Sequence, residues 1–243
     1  GNLVQTGNFT NVGGSTTSGN VGKITLFRDS RMKRLDYTYW GSPVANQNLF
    51  GFSPNTVQTR FYKYLESNNG YSNAGITSAS VFEPAIGYII RAPNNFPATF
   101  SPTDPNNLFI GKFSGVPNSG SISVTLNKQF EGYNLVSNPY PSTINLANLK
   151  IFNSSMESTV YFWTNVNDYA ADPVNYAANN YATYNIATNT GTTSLNGTKV
   201  PNRYVKPGQG SIVVAASHGS TLTFTNKMRT SINTGVFFNM GGK

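Results

Sequence analysis

A histidine-dependent nucleophilic mechanism would have to run through His218, the one histidine of the chain, set in Ser217-His-Gly-Ser220 between two strand-like runs. That setting reads as a hairpin turn, whereas a catalytic triad needs its base held between a nucleophile and an orienting acid. No Gly-x-Ser-x-Gly elbow, phosphate-binding P-loop or His-Glu-x-x-His pair occurs in the sequence. Glycoside hydrolysis needs two carboxylates about 5 to 10 Å apart, and the nine acidic residues are scattered. With no cysteine there is neither a disulfide framework nor a thiolate metal site. The expectation is a protein that is not an enzyme.

Binding chemistry has better material. Sugar rings stack on exposed aromatic faces while Asn and Asp hydrogen-bond their hydroxyls, and one stretch concentrates those residue types. We expect Trp163, Asp168, Tyr169, Asp172, Tyr176 and Tyr181 to line a ligand or partner surface. The competing reading is that these aromatics are core residues and that the stretch only covers a sheet edge or the end of a core. Asp168 and Asp172 with Asn165 and Asn167 could offer hard oxygen ligands to calcium, but their spacing is not that of an EF-hand loop and a solvated loop is favoured. No cofactor is expected.

The elements that must hold these residues are strands. Lys23 to Phe27, Thr59 to Tyr64, Gly87 to Ala92, Ser121 to Leu126, Ser158 to Trp163, Gly210 to Ala216 and Ser220 to Asn226 are short β-branched or aromatic runs separated by Gly, Pro, Asn and Ser clusters. Only Ile144 to Asn153 offers a short helix, with Ser142 as a possible N-cap. Comparing the chain with itself exposes a repeat. Gly7-Asn-Phe9 matches Gly111-Lys-Phe113, and Lys23-Ile-Thr-Leu26 matches Ser123-Val-Thr-Leu126. Tyr37 to Pro43 matches Tyr133 to Pro139, and Arg60-Phe-Tyr-Lys63 matches Val160-Tyr-Phe-Trp163. Pro84 to Ala92 matches Pro207 to Ala215, and Ala98-Thr-Phe100 matches Leu222-Thr-Phe224. The offset between copies changes only where the sequence already looks like a loop, which is where insertions are tolerated.

The expected fold class is therefore all-β, with two tandem duplicated β-sandwich or barrel-like units. Residues 1–106 form the first unit, and 107–230 the second, with a large loop insertion at 164–206. Gly235-Val-Phe237 repeats the Gly-x-Phe form, so 231–243 is expected to start a third unit or act as a linker. Trp40 aligns with Val136, a core pairing, while Trp163 aligns with Lys63, an exposed position bordering the insertion.

Composition narrows the partners. Charged residues make up 11% of the chain, and the net charge of +8 is spread evenly between the halves apart from Arg28, Arg31, Lys33 and Arg34. Without a nucleic-acid-binding signature that cluster reads as a solvated hairpin tip, so no nucleic acid is expected. No apolar run reaches the length of a membrane span, and no signal peptide precedes Gly1, so the chain reads as a mature protein or an excised fragment.

At Tyr133-Asn-Leu-Val-Ser-Asn-Pro-Tyr-Pro-Ser142, Tyr161-Phe-Trp163, Tyr181-Ala-Thr-Tyr184, Pro207-Gly-Gln-Gly210 and Thr223-Phe-Thr-Asn-Lys-Met-Arg229 the sequence resembles a known group of proteins. It is similar to the β-rich region preceding the C-terminal sorting domain in surface and secreted proteins of Flavobacterium and related Bacteroidota, exported by the type IX secretion system. The resemblance runs from about Tyr37 to Arg229. It implies an extracellular or outer-membrane surface location and a role in adhesion or display. Expected partners are cell-surface or self-assembly proteins, with polysaccharide as the alternative; the matching alternative function is a carbohydrate-binding module of a secreted enzyme or adhesin.

Overall fold

Alternation of period two places successive side chains on opposite faces of a strand, and here both faces of the central strands are apolar or aromatic. The computed structural model describes residues 22–167 and 176–238, apart from the Tyr176 side chain. The first half contains β1 (Ile24–Arg31), β2 (Tyr37–Trp40), α1 (Leu49–Phe52), β3 (Phe61–Leu65), β4 (Gly70–Ser72), β5 (Tyr88–Arg91) and β6 (Leu108–Gly115). The second half begins with β7 (Ile122–Leu126), β8 (Tyr133–Ser137), β9 (Thr143–Asn145), α2 (Leu146–Phe152), β10 (Met156–Trp163) and α3 (Tyr176–Asn179). It continues with β11 (Tyr181–Asn185), β12 (Thr190–Thr192), β13 (Tyr204–Val205), β14 (Gly210–Ala215), β15 (Ser220–Phe224) and β16 (Arg229–Thr230). The protein is all-β, and every strand pairing is antiparallel. All seven runs read as strands are strands. The short helix is α2, but its N-cap is Asn145, which accepts from the Ala147 N–H; Ser142 is not the cap.

Two sheets form the centre, one in the order β2-β5-β3-β4 and the other in the order β12-β11-β10-β14-β8. Three layers of side chains alternate with them. Trp40, Phe61, Tyr88 and Ile90 point from the first sheet into a core shared with Leu26 and Phe113 of the β1-β6 ribbon. Val160, Phe162, Val213 and Tyr184 point from the second sheet into a core shared with Leu126 and Leu222 of the β7-β15 ribbon. Between the sheets lies a third layer of Tyr39, Ile89, Leu135, Trp163 and Ile212, ringed by half-buried tyrosines.

The registers of the two sheets correspond. Tyr37 faces Arg91 where Tyr133 faces Val214, and Trp40 faces Tyr88 where Val136 faces Ser211. Phe61 faces Ile90 and Val160 faces Val213, so β3 and β10 correspond one residue away from the match of sequence types. By register Trp163 stands where Tyr64 stands, not Lys63. Two landmarks behave differently. Residues 98–100 form no strand, although Leu222-Thr-Phe224 lies in β15. Strand β6, on the far side of the expected 106/107 boundary, pairs along its whole length with β1 and sends Phe113 into the first core.

The sheets join at reciprocal contacts. Trp40 bridges Gln209, and Val136 bridges Ile86. Gly41 N–H donates to Gly208 O at 3.1 Å, and Ser137 N–H donates to Ala85 O at 2.8 Å. Both turns have a proline followed by a left-handed residue, with φ of 63° at Ala85 and 79° at Gly208. A Cβ on Gly210 would lie 2.9 Å from the Tyr39 Cβ and 3.0 Å from its carbonyl carbon, and one on Gly87 would lie 3.0 Å from the Val136 carbonyl oxygen. Neither glycine has a positive φ, so the constraint is the neighbouring backbone. Gly210→Ala is expected to cost about 1–3 kcal/mol, the usual penalty of overpacking. Chemical denaturation reads it, and an unchanged midpoint would show that the strands do not approach this closely.

A tyrosine-lined candidate binding cleft

Where the inter-sheet layer meets solvent it opens into a cleft of ≈ 460 Å³. Strand alternation supplies its walls: Tyr64 from β3, Tyr71 from β4, Tyr133 from β8, Tyr161 from β10 and Tyr181 from β11. Ile212 lies among them, while Asn69, Glu131, Thr183 and the small residues Ala177 and Ala178 of α3 complete the lining. Tyr133 meets Tyr161 with centroids 5.7 Å apart at 86°, and Tyr161 meets Tyr181 at 6.0 Å and 84°. Across the cleft Tyr64 meets Tyr71 at 5.7 Å and 63°. Edge-to-face pairing is favourable and fixes ring orientation.

The hydroxyls are fixed as well. Tyr39 OH, fully buried behind the cleft, lies 2.9 Å from Tyr71 OH and 2.6 Å from Tyr181 OH. Tyr64 OH donates to Asn69 Oδ1 at 2.6 Å. Burial, reinforced by the neighbouring phenols, holds Tyr39 and Tyr181 well above the ordinary phenol range. Burial also raises Tyr64 and Tyr161. These groups therefore stay neutral at physiological pH, and the cleft offers ring faces and uncharged hydroxyls beside one carboxylate. Among the described residues this set contains no base poised on a nucleophile. His218 sits in the exposed β14–β15 turn, its Nδ1 accepting from the Lys128 N–H. Among the described residues no group of three or more His, Asp or Glu could hold a metal ion.

The expected surface residues fare unequally. Tyr181 lines the cleft, and Tyr176 opens α3, the helix whose next two residues reach it. Asp168, Tyr169 and Asp172 lie outside the described residues. Trp163 is not exposed: it is 6% accessible, stacks on Tyr39 at 5.8 Å and 21°, and donates from Nε1 to Asn165 Oδ1. The reason is the one-residue register difference, which turns its side chain into the inter-sheet layer. Asn165 is committed too. Its Oδ1 accepts from the Tyr37 N–H and its Nδ2 donates to Tyr37 O at 2.8 Å, so the amide stitches β2 to the end of β10. Asn167 donates to the carbonyls of Asn179 and Leu195.

The residues that carried the resemblance to exported surface proteins form a structural knot. Asn138 Nδ2 donates to the carbonyls of Ser142 and Val205, and its Oδ1 accepts from the Tyr140 N–H. Arg229 lies 5.0 Å from the Tyr140 ring centroid and donates from Nε to Ser142 Oγ. Burial lowers its guanidinium to about 10, against the opposing pull of Tyr140.

Fold and cleft together define the class: an all-β protein of two facing sheets with an aromatic-lined cleft at their seam. The chain belongs to the family described as a domain of unknown function (DUF8693), whose model matches residues 1–243. No curated protein matches it, and no solved structure does.

Proposed function

We propose that this chain is a non-catalytic binding module displayed outside the cell, built from two tandem copies of one β unit and serving adhesion through its tyrosine cleft. The cleft carries the reading: five tyrosines with fixed rings, plus Asn69 and Thr183, suit the alternating apolar faces and hydroxyl edges of a polysaccharide. Similarity to type IX-exported proteins of Flavobacterium and its relatives supports an extracellular or outer-membrane surface setting. The reciprocal joint between sheets supports a rigid scaffold, the condition under which a contact surface keeps its shape.

Tyr71 is the residue to remove, because it is 48% exposed and its loss leaves Tyr39 OH still bonded to Tyr181. On a glycan array the wild-type chain is expected to bind a defined set of glycans. Tyr71→Ala should weaken that binding about tenfold, the loss of one stacking face, with little change in melting temperature. Wild-type protein that binds no glycan, or Tyr71→Ala that binds as well as wild type, would overturn the assignment.

A further inference from the structure

The charge around the cleft runs against that of the protein. The chain carries 17 Lys and Arg against 9 Asp and Glu, yet among the described residues the only charged side chain lining the cleft is Glu131. Three tyrosines at near right angles, Tyr133, Tyr161 and Tyr181, present their ring systems as walls of one space. An aromatic ring has a negative face, and several such faces converging beside a carboxylate form the arrangement that attracts an organic cation. Besides burial, the neighbouring phenol of Tyr71 and the carboxylates of Glu66 and Glu131 help raise Tyr64. An anionic sugar would meet repulsion there, and a neutral one would leave Glu131 without a charged partner in the cleft.

Resting on the assignment of the cleft as the binding site, we infer that its ligand bears an ammonium group, which sits between the tyrosine faces and Glu131 as the cationic substituent of an amino sugar.

The test compares oligosaccharides of matched length that differ in charge: de-N-acetylated glucosamine oligomers, at a pH where their amines are protonated, and N-acetylglucosamine oligomers. Titration calorimetry on the full chain is expected to show the cationic series binding about tenfold tighter, the scale of a cation–π contact aided by one carboxylate. Glu131→Gln, at an exposed position, should erase most of that ratio. Choline serves as a probe of the other source of such a cation: competition with weak affinity keeps the amino sugar as ligand, whereas choline binding tighter than the oligomers overturns the sugar and assigns a lipid-type headgroup. Equal affinity for the two oligomer series, or a ratio that survives Glu131→Gln, overturns the ammonium inference and leaves the cleft as a binding site. Binding of neither series, with glycans found elsewhere on the array, also overturns it. Absence of any glycan ligand, or Tyr71→Ala that binds as well as wild type, removes the cleft assignment itself.

Discussion

Truncation after Arg229 is expected to unfold the protein rather than trim it. Phe238 is 2% exposed, sits in the second core and packs on Phe162 with centroids 4.9 Å apart. Its N–H donates to Gln209 Oε1 at 2.6 Å and its carbonyl accepts from Gln209 Nε2. One residue earlier, Phe237 meets Trp40 of the first core at 5.1 Å, with Arg28 over its ring. Gly235 passes so close to Tyr204 that a Cβ would lie 2.2 Å from its carbonyl oxygen. The segment expected to begin a third unit or act as a linker has no strand between 231 and 238 and packs against both cores. Phe238→Ala alone should cost about 3–5 kcal/mol, a fall of roughly 10 °C in melting temperature for a chain of this size. The truncation should exceed it. A truncated chain melting within a few degrees of the parent would refute this placement.

Replacing Glu66 is the second large effect. Its carboxylate is 5% exposed and accepts from the N–H groups of Gln129, Phe130 and Gly132, each at 2.8 Å, tying the turn after β3 to the turn before β8. Burial by itself would raise its pKa, but the three donors outweigh burial and hold the carboxyl below its ordinary value. Glu66→Gln keeps the oxygen that serves Phe130 and Gly132 but turns a donor toward the Gln129 N–H. We expect a loss of about 2–4 kcal/mol, since buried donors are left unpaired or opposed. A folded pKa below the unfolded one gives stability that is present above the unfolded value and lost as pH falls through the folded value. The melting-temperature gap between wild type and Glu66→Gln should therefore be widest near neutrality and close below about pH 4. A gap that stays constant down to acid would mean that the carboxylate is not the group that holds this turn.

How much of this was legible in sequence depends on whether a residue's role was set locally. Strand runs and the all-β class follow from local patterns that the fold respects. Trp163 shows the limit. Matching Arg60-Phe-Tyr-Lys63 to Val160-Tyr-Phe-Trp163 aligns residue types one position away from the observed register, and in a strand a slip of one exchanges the faces. Tyr64, Tyr71, Tyr133 and Tyr161 were missed as site residues because their shared cleft exists only once two sheets meet. A signal was there in retrospect: Tyr62 and Tyr64 alternate with Phe61 and Lys63, marking a strand aromatic on a second face. Glu66 was silent for a different reason, since its partners are backbone amides distant in sequence.

The reciprocal joint has a consequence for how such a chain behaves when divided. Each half offers a turn, Pro84-Ala85 or Pro207-Gly208, and each receives the other's turn beside its own first sheet strand. That is the geometry of an isologous contact between like subunits, held here within a single chain. A polypeptide carrying only one half would present both the donor turn and the acceptor strand, so pairing with its own copy would be its natural escape from exposing the tyrosine layer, and a dimer rather than a monomer is the smallest species in which that layer is covered.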